Sequence, residues 1–121
     1  MSIEKVRQYF QPLGREQDIL EFETSSATVV LAAQAAGVIP ARIAKTLSFW
    51  VQGEPVLIVA AGDAKIDNSK FKAMFHAKAK MLSPEQVYSF TGHAVGGVCP
   101  FANPDGVRTY LDVSLQRFET V

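Results

Sequence analysis

One lysine interrupts an otherwise apolar segment, and it is the first residue that could carry chemistry. The segment, residues 43–51, reads as a β-strand in which alternate side chains point to opposite faces. Lys45 then shares a face with four apolar residues, namely Ile43, Leu47, Phe49 and Val51. Burying an ammonium group there costs several kcal/mol of free energy unless an anion, a dipole or water compensates for its lost hydration. Either the side chain extends its head into water, or it lines a cavity that receives a negative or electrophilic group.

A glycine-rich segment, Gly96-Gly97-Val98-Cys99-Pro100, is the second candidate. It lies within residues 92–105, which contain three glycines and two prolines and have neither helical nor strand periodicity. Adjacent glycines let the backbone approach a ligand closely, and Pro100 fixes the exit of the chain. Backbone amides in such a segment could hold a small polar group of an amino acid. A plain tight turn is the alternative interpretation.

The chain has one cysteine and two histidines, which limits nucleophilic and metal chemistry. Cys99 could be a nucleophile and His93 a proton carrier, but their spacing matches no catalytic or metal-binding pattern. A cysteine beside apolar residues is more often a small core residue, and a lone histidine is more often a hydrogen-bonding one. The sequence contains no Walker loop, Ser-His-Asp signature or HExxH motif.

Basic residues are concentrated in one part of the chain. Asp67 is the only acid between positions 65 and 80, whereas five of the twelve basic residues fall there: Lys65, Lys70, Lys72, Lys78 and Lys80. Such a segment could bind phosphates with modest, salt-sensitive affinity, or it could be a solvated helix face.

The 121-residue chain has twelve acidic and twelve basic side chains and hence no net charge. It therefore has no overall attraction to DNA or to a membrane surface. Its N-terminal residues have no apolar signal core, and no segment approaches the length of a membrane span, so we expect a cytoplasmic protein. The length fits a single domain over residues 1–121.

The periodicity predicts an α/β (α+β-like) domain around one central sheet, in which strands and short helices alternate irregularly. Strands are predicted at residues 19–23, 43–51, 56–61, 79–82 and 107–113. Helices are predicted at residues 3–10, 27–36 and 84–91, and a further helix, capped by Asn68 or Ser69, is predicted through Phe75. Residues 56–61 are apolar at every position, which is typical of a central strand covered on both faces.

In combination, four motifs resemble the bacterial YbaK/EbsC family, the free-standing relatives of the editing domain of prolyl-tRNA synthetase. They are Ser26-Ala27-Thr28 before an alanine-rich helix, Ile43-Ala44-Lys45-Thr46-Leu47, Ala61-Gly62-Asp63-Ala64-Lys65-Ile66-Asp67, and Thr91-Gly92-His93-Ala94-Val95-Gly96-Gly97-Val98-Cys99-Pro100-Phe101. Their order and spacing match the family from about residue 20 to the end of the chain.

The resemblance implies an aminoacyl-tRNA deacylase, which removes a mischarged amino acid from tRNA without a metal or an organic cofactor. It implies a mixed sheet that is partly closed. It also implies that Lys45 is the functional residue, that Thr28 lies near the aminoacyl end, and that the aminoacyl pocket is lined by Gly96, Gly97 and Pro100. The partner would be the 3′ end of aminoacyl-tRNA, with a tRNA synthetase as a further candidate.

Two features depart from the family pattern. Family chains usually continue past the position of Val121, so we expect this domain to lack a C-terminal segment that supplies another wall of the pocket. Some relatives carry a polar aromatic residue in the first strand, where Ile19 and Leu20 stand here. The resemblance therefore does not transfer the choice of amino acid.

The predicted reaction is hydrolysis of the ester that joins an amino acid to the terminal ribose. Lys45 would hold a phosphate or ribose oxygen, amides of residues 96–99 would hold the aminoacyl group, and water or a substrate hydroxyl would attack. Two other interpretations stay open. One is a non-catalytic tRNA- or nucleotide-binding module that uses the lysines of residues 65–80, and the other is a lysine enzyme that forms a Schiff base.

Overall fold

Helices and strands alternate irregularly along residues 2–121, the part of the chain that the computed structural model describes. The helices are α1 (Ile3–Phe10), α2 (Val29–Ala36), α3 (Asn68–Phe75) and α4 (Pro84–Thr91). The strands are β1 (Ala44–Val51), β2 (Glu54–Ala61) and β3 (Arg108–Leu111). Short 3-10 turns follow α1 and precede β1, and another follows β3. No helix in this part of the chain is long and apolar enough to cross a bilayer.

The sheet has the strand order β1-β2-β3 and is mixed, as the resemblance implied. β1 and β2 are antiparallel, with Lys45 opposite Ala60, and β3 runs parallel to β2. The turn between β1 and β2 has positive φ at both Gln52 and Gly53, as a two-residue hairpin with right-handed twist requires. The sheet is open rather than partly closed, because three strands are too few to curl into a barrel.

An aromatic cluster covers the face of the sheet that carries Lys45. Phe71 of α3 packs between Phe49 of β1 and Phe75, with ring centroids 5.1 Å and 4.6 Å away. Val56 and Ile58 of β2 complete this core. The face predicted for Lys45 is therefore confirmed, and α3 is the helix that covers it.

The opposite face of the sheet packs against α4. Trp50 lies edge-on to Phe90 at 5.1 Å, and its Nε1 donates a hydrogen bond of 3.1 Å to the side chain of Gln86. Ser83 and Gln86 form a reciprocal capping box at the start of α4, as their spacing indicated. Because both faces are covered, β2 is buried from Val56 to Ala61, which confirms the prediction of a central strand.

Two predicted strands do not form. Residues 19–23 have no regular structure and Leu20 is 73% exposed, because no strand lies beside them to pair with. Residues 79–82 make only an isolated bridge between Met81 and Phe49. That bridge still fixes the segment beside β1, since the Trp50 amide donates to the Lys80 carbonyl at 2.8 Å.

We expect Phe71→Ala to lower the free energy of unfolding by about 3–5 kcal/mol, because Phe71 is buried at the centre of the aromatic cluster. Met74→Ala on the same helix is the matched control, since Met74 is 60% exposed and should change stability by no more than about 0.5 kcal/mol. Urea unfolding measures both. Equal losses in the two variants would contradict this packing.

Candidate functional site

The ammonium group of Lys45 is held by backbone carbonyls. Its Nζ donates to the carbonyl oxygen of Gly62 at 3.3 Å and, by a shorter contact, to that of Ala64. Both carbonyls belong to the turn that follows β2. An ammonium has three donors, and the third has no acceptor among the described residues. The side chain is half-buried, so this remaining donor can reach a ligand.

The carboxylate of the same turn pairs with an arginine. Asp63 lies between the two residues whose carbonyls accept from Lys45, and it forms an ion pair with Arg117 in which Nη1 and Oδ2 are 3.1 Å apart. The hydrogen bond from Arg117 lowers the pKa of Asp63, and the charge of Lys45 contributes less. The hydrogen-bond acceptors of Lys45 are therefore backbone carbonyls, and no carboxylate of the described residues forms an ion pair with it.

The turn that holds Lys45 packs tightly against the start of α2. A Cβ at Gly62 would lie 2.6 Å from Cγ1 of Val29 and would also clash with the backbone carbonyl of Pro40. Only glycine fits there, although its φ is not positive. Gly62 stands in one of the four motifs but was not among the predicted site residues. Its position directly after the apolar strand β2 is the feature of the sequence that could have indicated close packing there.

The start of α2 also contacts the glycine-rich segment. Thr28 is the N-cap of α2, and its Oγ1 accepts a 3.2 Å hydrogen bond from the amide of Leu31. Beside it, the Cβ of Ala27 would be 3.5 Å from a Cβ placed on Gly96. Gly96 has φ +84°, a conformation that favours glycine. Residues 27–29 therefore lie between the Lys45 turn and the glycine segment.

One backbone amide of the glycine segment closes a turn, whereas others have no hydrogen-bond acceptor among the described residues. The Gly97 amide donates to the Ala94 carbonyl at 2.9 Å, which agrees with the tight-turn interpretation. The amides of Gly96, Val98 and Cys99 have no acceptor within the described part of the chain. Pro100 follows and has no amide to donate. Because Cys99 is buried, the amides of Gly96 and Val98 are the two that a ligand can approach. No hydrogen bond of the described residues joins this segment to Lys45.

His93 and Cys99 form a buried structural pair. His93 is fully buried; its Nδ1 accepts from the Ser2 amide at 3.2 Å, so Nε2 carries the proton that is donated to the Phe101 carbonyl at 2.9 Å. Cys99 Sγ lies 3.6 Å from that Nε2. Burial lowers the pKa of His93 and raises the pKa of Cys99. Both groups are therefore neutral near pH 7, which agrees with the structural roles expected for them.

A concave surface lies elsewhere, on the α3 side of the sheet. It is a cleft of about 590 Å³ with an aromatic floor that includes Phe71 and Tyr110. Its charged rim consists of Asp63, Lys65, Asp67, Lys70, Asp112 and Arg117. None of the five predicted site residues lines it, although Ala60 and Ala64, which flank Lys45, do. Within residues 2–121, no group of histidine, cysteine and carboxylate side chains could hold a metal ion.

The family model of the aminoacyl-tRNA editing domain matches residues 23–121. The chain belongs to this family, which confirms the resemblance drawn from the four motifs. It is 57% identical to YwhH, an uncharacterized protein of Bacillus subtilis, over its whole length and 78% of YwhH. It is 35% identical over 85 residues to the proline–tRNA ligase of Nitratidesulfovibrio vulgaris (strain DP4), of which the match covers 14%.

Solved structures agree with the sequence relatives. A crystal structure of a proposed trans-editing enzyme for prolyl-tRNA synthetase matches with a TM-score of 0.85 and 28% identity, over 97% of this chain and 75% of that one. The structure of the protein APE2540 matches with a TM-score of 0.77 and 26% identity, over 95% of this chain and 77% of that one. The three-stranded mixed sheet with its flanking helices is thus the fold of an editing domain.

We expect His93 to make stability fall with acid. Its pKa is lowered in the folded state, whereas in the unfolded chain it is about 6.5, so the unfolded state binds the proton first. The contribution of His93 is complete above about pH 6.5 and is lost as the pH falls towards the lowered pKa. Urea unfolding from about pH 7.5 to about pH 5.5 should show this loss in the wild type and less of it in His93→Gln.

The variant His76→Gln provides the control, because His76 is exposed at the end of α3. It should keep the wild-type pH dependence. If His93→Gln also keeps the wild-type pH dependence, the buried neutral histidine is not the cause of the loss of stability at acid pH.

Proposed function

We propose that this domain is a trans-editing deacylase, which hydrolyses the ester between a mischarged amino acid and tRNA. One observation carries the proposal. The partly free ammonium of Lys45 and the free amides of the glycine segment both adjoin the start of α2, through contacts at Val29 and Ala27. A cation and a set of backbone donors on either side of a short segment suit a ligand with a phosphate or ribose oxygen next to a carbonyl group.

Each predicted residue then has a role. The third donor of Lys45 holds a phosphate or ribose oxygen of the terminal nucleotide, beside the scissile ester. The amides of Gly96 and Val98 hold the carbonyl oxygen, where negative charge develops during attack. Thr28 borders the aminoacyl group, Gly97 closes the turn that presents the amides, and Pro100 fixes its exit.

The group that completes hydrolysis is water, because attack by a neighbouring ribose hydroxyl would only move the ester along the sugar. The water oxygen bonds to the carbonyl carbon and loses a proton, the bond from that carbon to the ribose oxygen breaks, and the ribose oxygen takes up a proton. Cys99 is a poor nucleophile because it is buried and its thiol pKa is raised. A Schiff base at Lys45 is disfavoured as well, because an ammonium that donates to two carbonyls has no lone pair for attack.

Small residues favour a small amino acid. Ala27, Gly96 and Gly97 are small, so a pocket that they line would admit an alanine- or serine-sized side chain and reject larger groups on size alone. The match to a proline–tRNA ligase and to a trans-editing enzyme for prolyl-tRNA synthetase supports tRNA for proline as the carrier.

A non-catalytic tRNA-binding module is the second candidate. It is favoured by the exposed lysines of residues 65–80, for which the described residues supply no ion pair. In that case tRNA would bind to the domain, and its ester would remain intact.

We expect Lys45→Ala to slow hydrolysis of alanyl-tRNA for proline by about 100-fold, because the donor that orients the terminal nucleotide is lost. The measurement is the release of labelled amino acid from a panel that includes alanyl-, cysteinyl- and prolyl-tRNA for proline. Lys5→Ala removes an exposed lysine of α1 and should leave the rates unchanged.

Thermal unfolding of each variant separates loss of activity from loss of fold. Full activity in a folded Lys45→Ala would refute the role of the lysine. No hydrolysis by the wild type, with tRNA still bound, would favour the binding-module alternative.

A further inference from the structure

The lysines of residues 65–80 are free of carboxylate partners. Each is exposed, and none forms an ion pair within the described part of the chain, whereas Arg7, Arg15 and Arg117 all do. The one acid of the segment, Asp67, is the N-cap of α3 and accepts a 3.0 Å hydrogen bond from the Lys70 amide. The segment therefore presents positive charge that the protein itself does not neutralise.

α3 divides these lysines between two surfaces. Lys65 and Lys70 line the large cleft, whose rim also carries the carboxylates of Asp63, Asp67 and Asp112. Lys72 and Lys78 line a separate concavity of about 360 Å³, which we call the basic pocket, together with Asn68, Ser69 and Ala79. No carboxylate lines the basic pocket. The cleft therefore has as many carboxylates as cations, whereas the basic pocket has only cations among its charged lining residues.

Every polar side chain of the basic pocket can donate a hydrogen bond. Lys72 and Lys78 contribute ammonium groups, Ser69 a hydroxyl and Asn68 an amide. Asn68, Ser69 and Lys72 lie on one face of α3, because residues three and four positions apart are neighbours on a helix. Two cations and two neutral donors around one concavity are suited to phosphate oxygens.

The backbone fixes the two lysines relative to each other. His76 is the C-cap of α3, and its φ of +58° turns the chain away from the helix. The His76 amide donates to the Lys72 carbonyl at 2.8 Å. Ala79 packs against the aromatic cluster, and the Lys80 carbonyl is held by the Trp50 amide. Lys78 therefore lies between two fixed points, the C-cap His76 and the packed residue Ala79, and it reaches the same concavity as Lys72.

We propose that the basic pocket binds backbone phosphates of the tRNA, at a place separate from the aminoacyl site; this rests on tRNA being the substrate. The turn that holds Lys45 leads directly into α3. Ala64 and Asn68 are four residues apart, which is at most about 14 Å of extended chain. Phosphates a few nucleotides from the terminal adenosine can therefore reach the pocket while the ester lies beside Lys45.

The test is the binding of uncharged tRNA by the double variant Lys72→Gln/Lys78→Gln, measured by fluorescence anisotropy at about 50 to 200 mM salt. Each lost phosphate contact lowers the slope of log Kd against log salt by about 0.7–0.9, so the slope should fall by between 1 and 2, as a rough estimate. The control Lys5→Gln/Arg108→Gln removes two exposed positive charges outside the pocket and should keep the wild-type slope. Thermal unfolding checks that both variants fold.

A second substrate separates this proposal from the proposed function. Alanine esterified to adenosine alone has no backbone phosphate, so the double variant should hydrolyse it at the wild-type rate while it loses binding to tRNA. An unchanged affinity and salt slope for tRNA, or no tRNA binding by the wild type, would overturn the phosphate site. If tRNA binding depends on Lys72 and Lys78 but neither substrate is hydrolysed, the phosphate site stands and the deacylase function fails.

Discussion

The charge of Lys45 lies on the core face of the sheet, and the surrounding structure depends on how that charge is accommodated. Carbonyl dipoles of Gly62 and Ala64 replace the lost hydration, so the turn after β2 must bring both within reach of Nζ. The same turn packs on α2 so closely that Gly62 has no room for a side chain. Because dipoles compensate for the charge without cancelling it, the lysine keeps a positive charge that can attract a negative group.

The turn of residues 62–67 links the two proposed sites, which differ in chemistry. One end holds Lys45 beside the start of α2, where backbone amides of the glycine segment are free. The other end begins α3, which buries Phe71 and Phe75 and turns Lys72 outwards to the basic pocket. A rigid connection of this length suits one elongated ligand that combines a polar acyl end with a phosphate chain, as the proposed substrate does.

Local chemistry explains why the sequence predicts much of this fold. The alternation around Lys45, the apolar run of β2 and the capping box at Ser83 each depend on neighbours in the chain, and each is confirmed. The pattern at residues 19–23 is misleading because a strand needs a partner that the sequence does not reveal. The partners of Lys45 and the ion pair of Asp63 with Arg117 join residues up to 54 positions apart, so no local pattern encodes them.

The central claim is that the aminoacyl group binds between the Lys45 turn and the glycine segment. An NMR titration of backbone amides with a non-hydrolysable ligand, in which an amide joins alanine to the ribose of adenosine, tests it most directly. The account predicts the largest shifts at Thr28, Ala64 and Gly96. Shifts concentrated at Phe71 and Tyr110, on the floor of the large cleft, would contradict it.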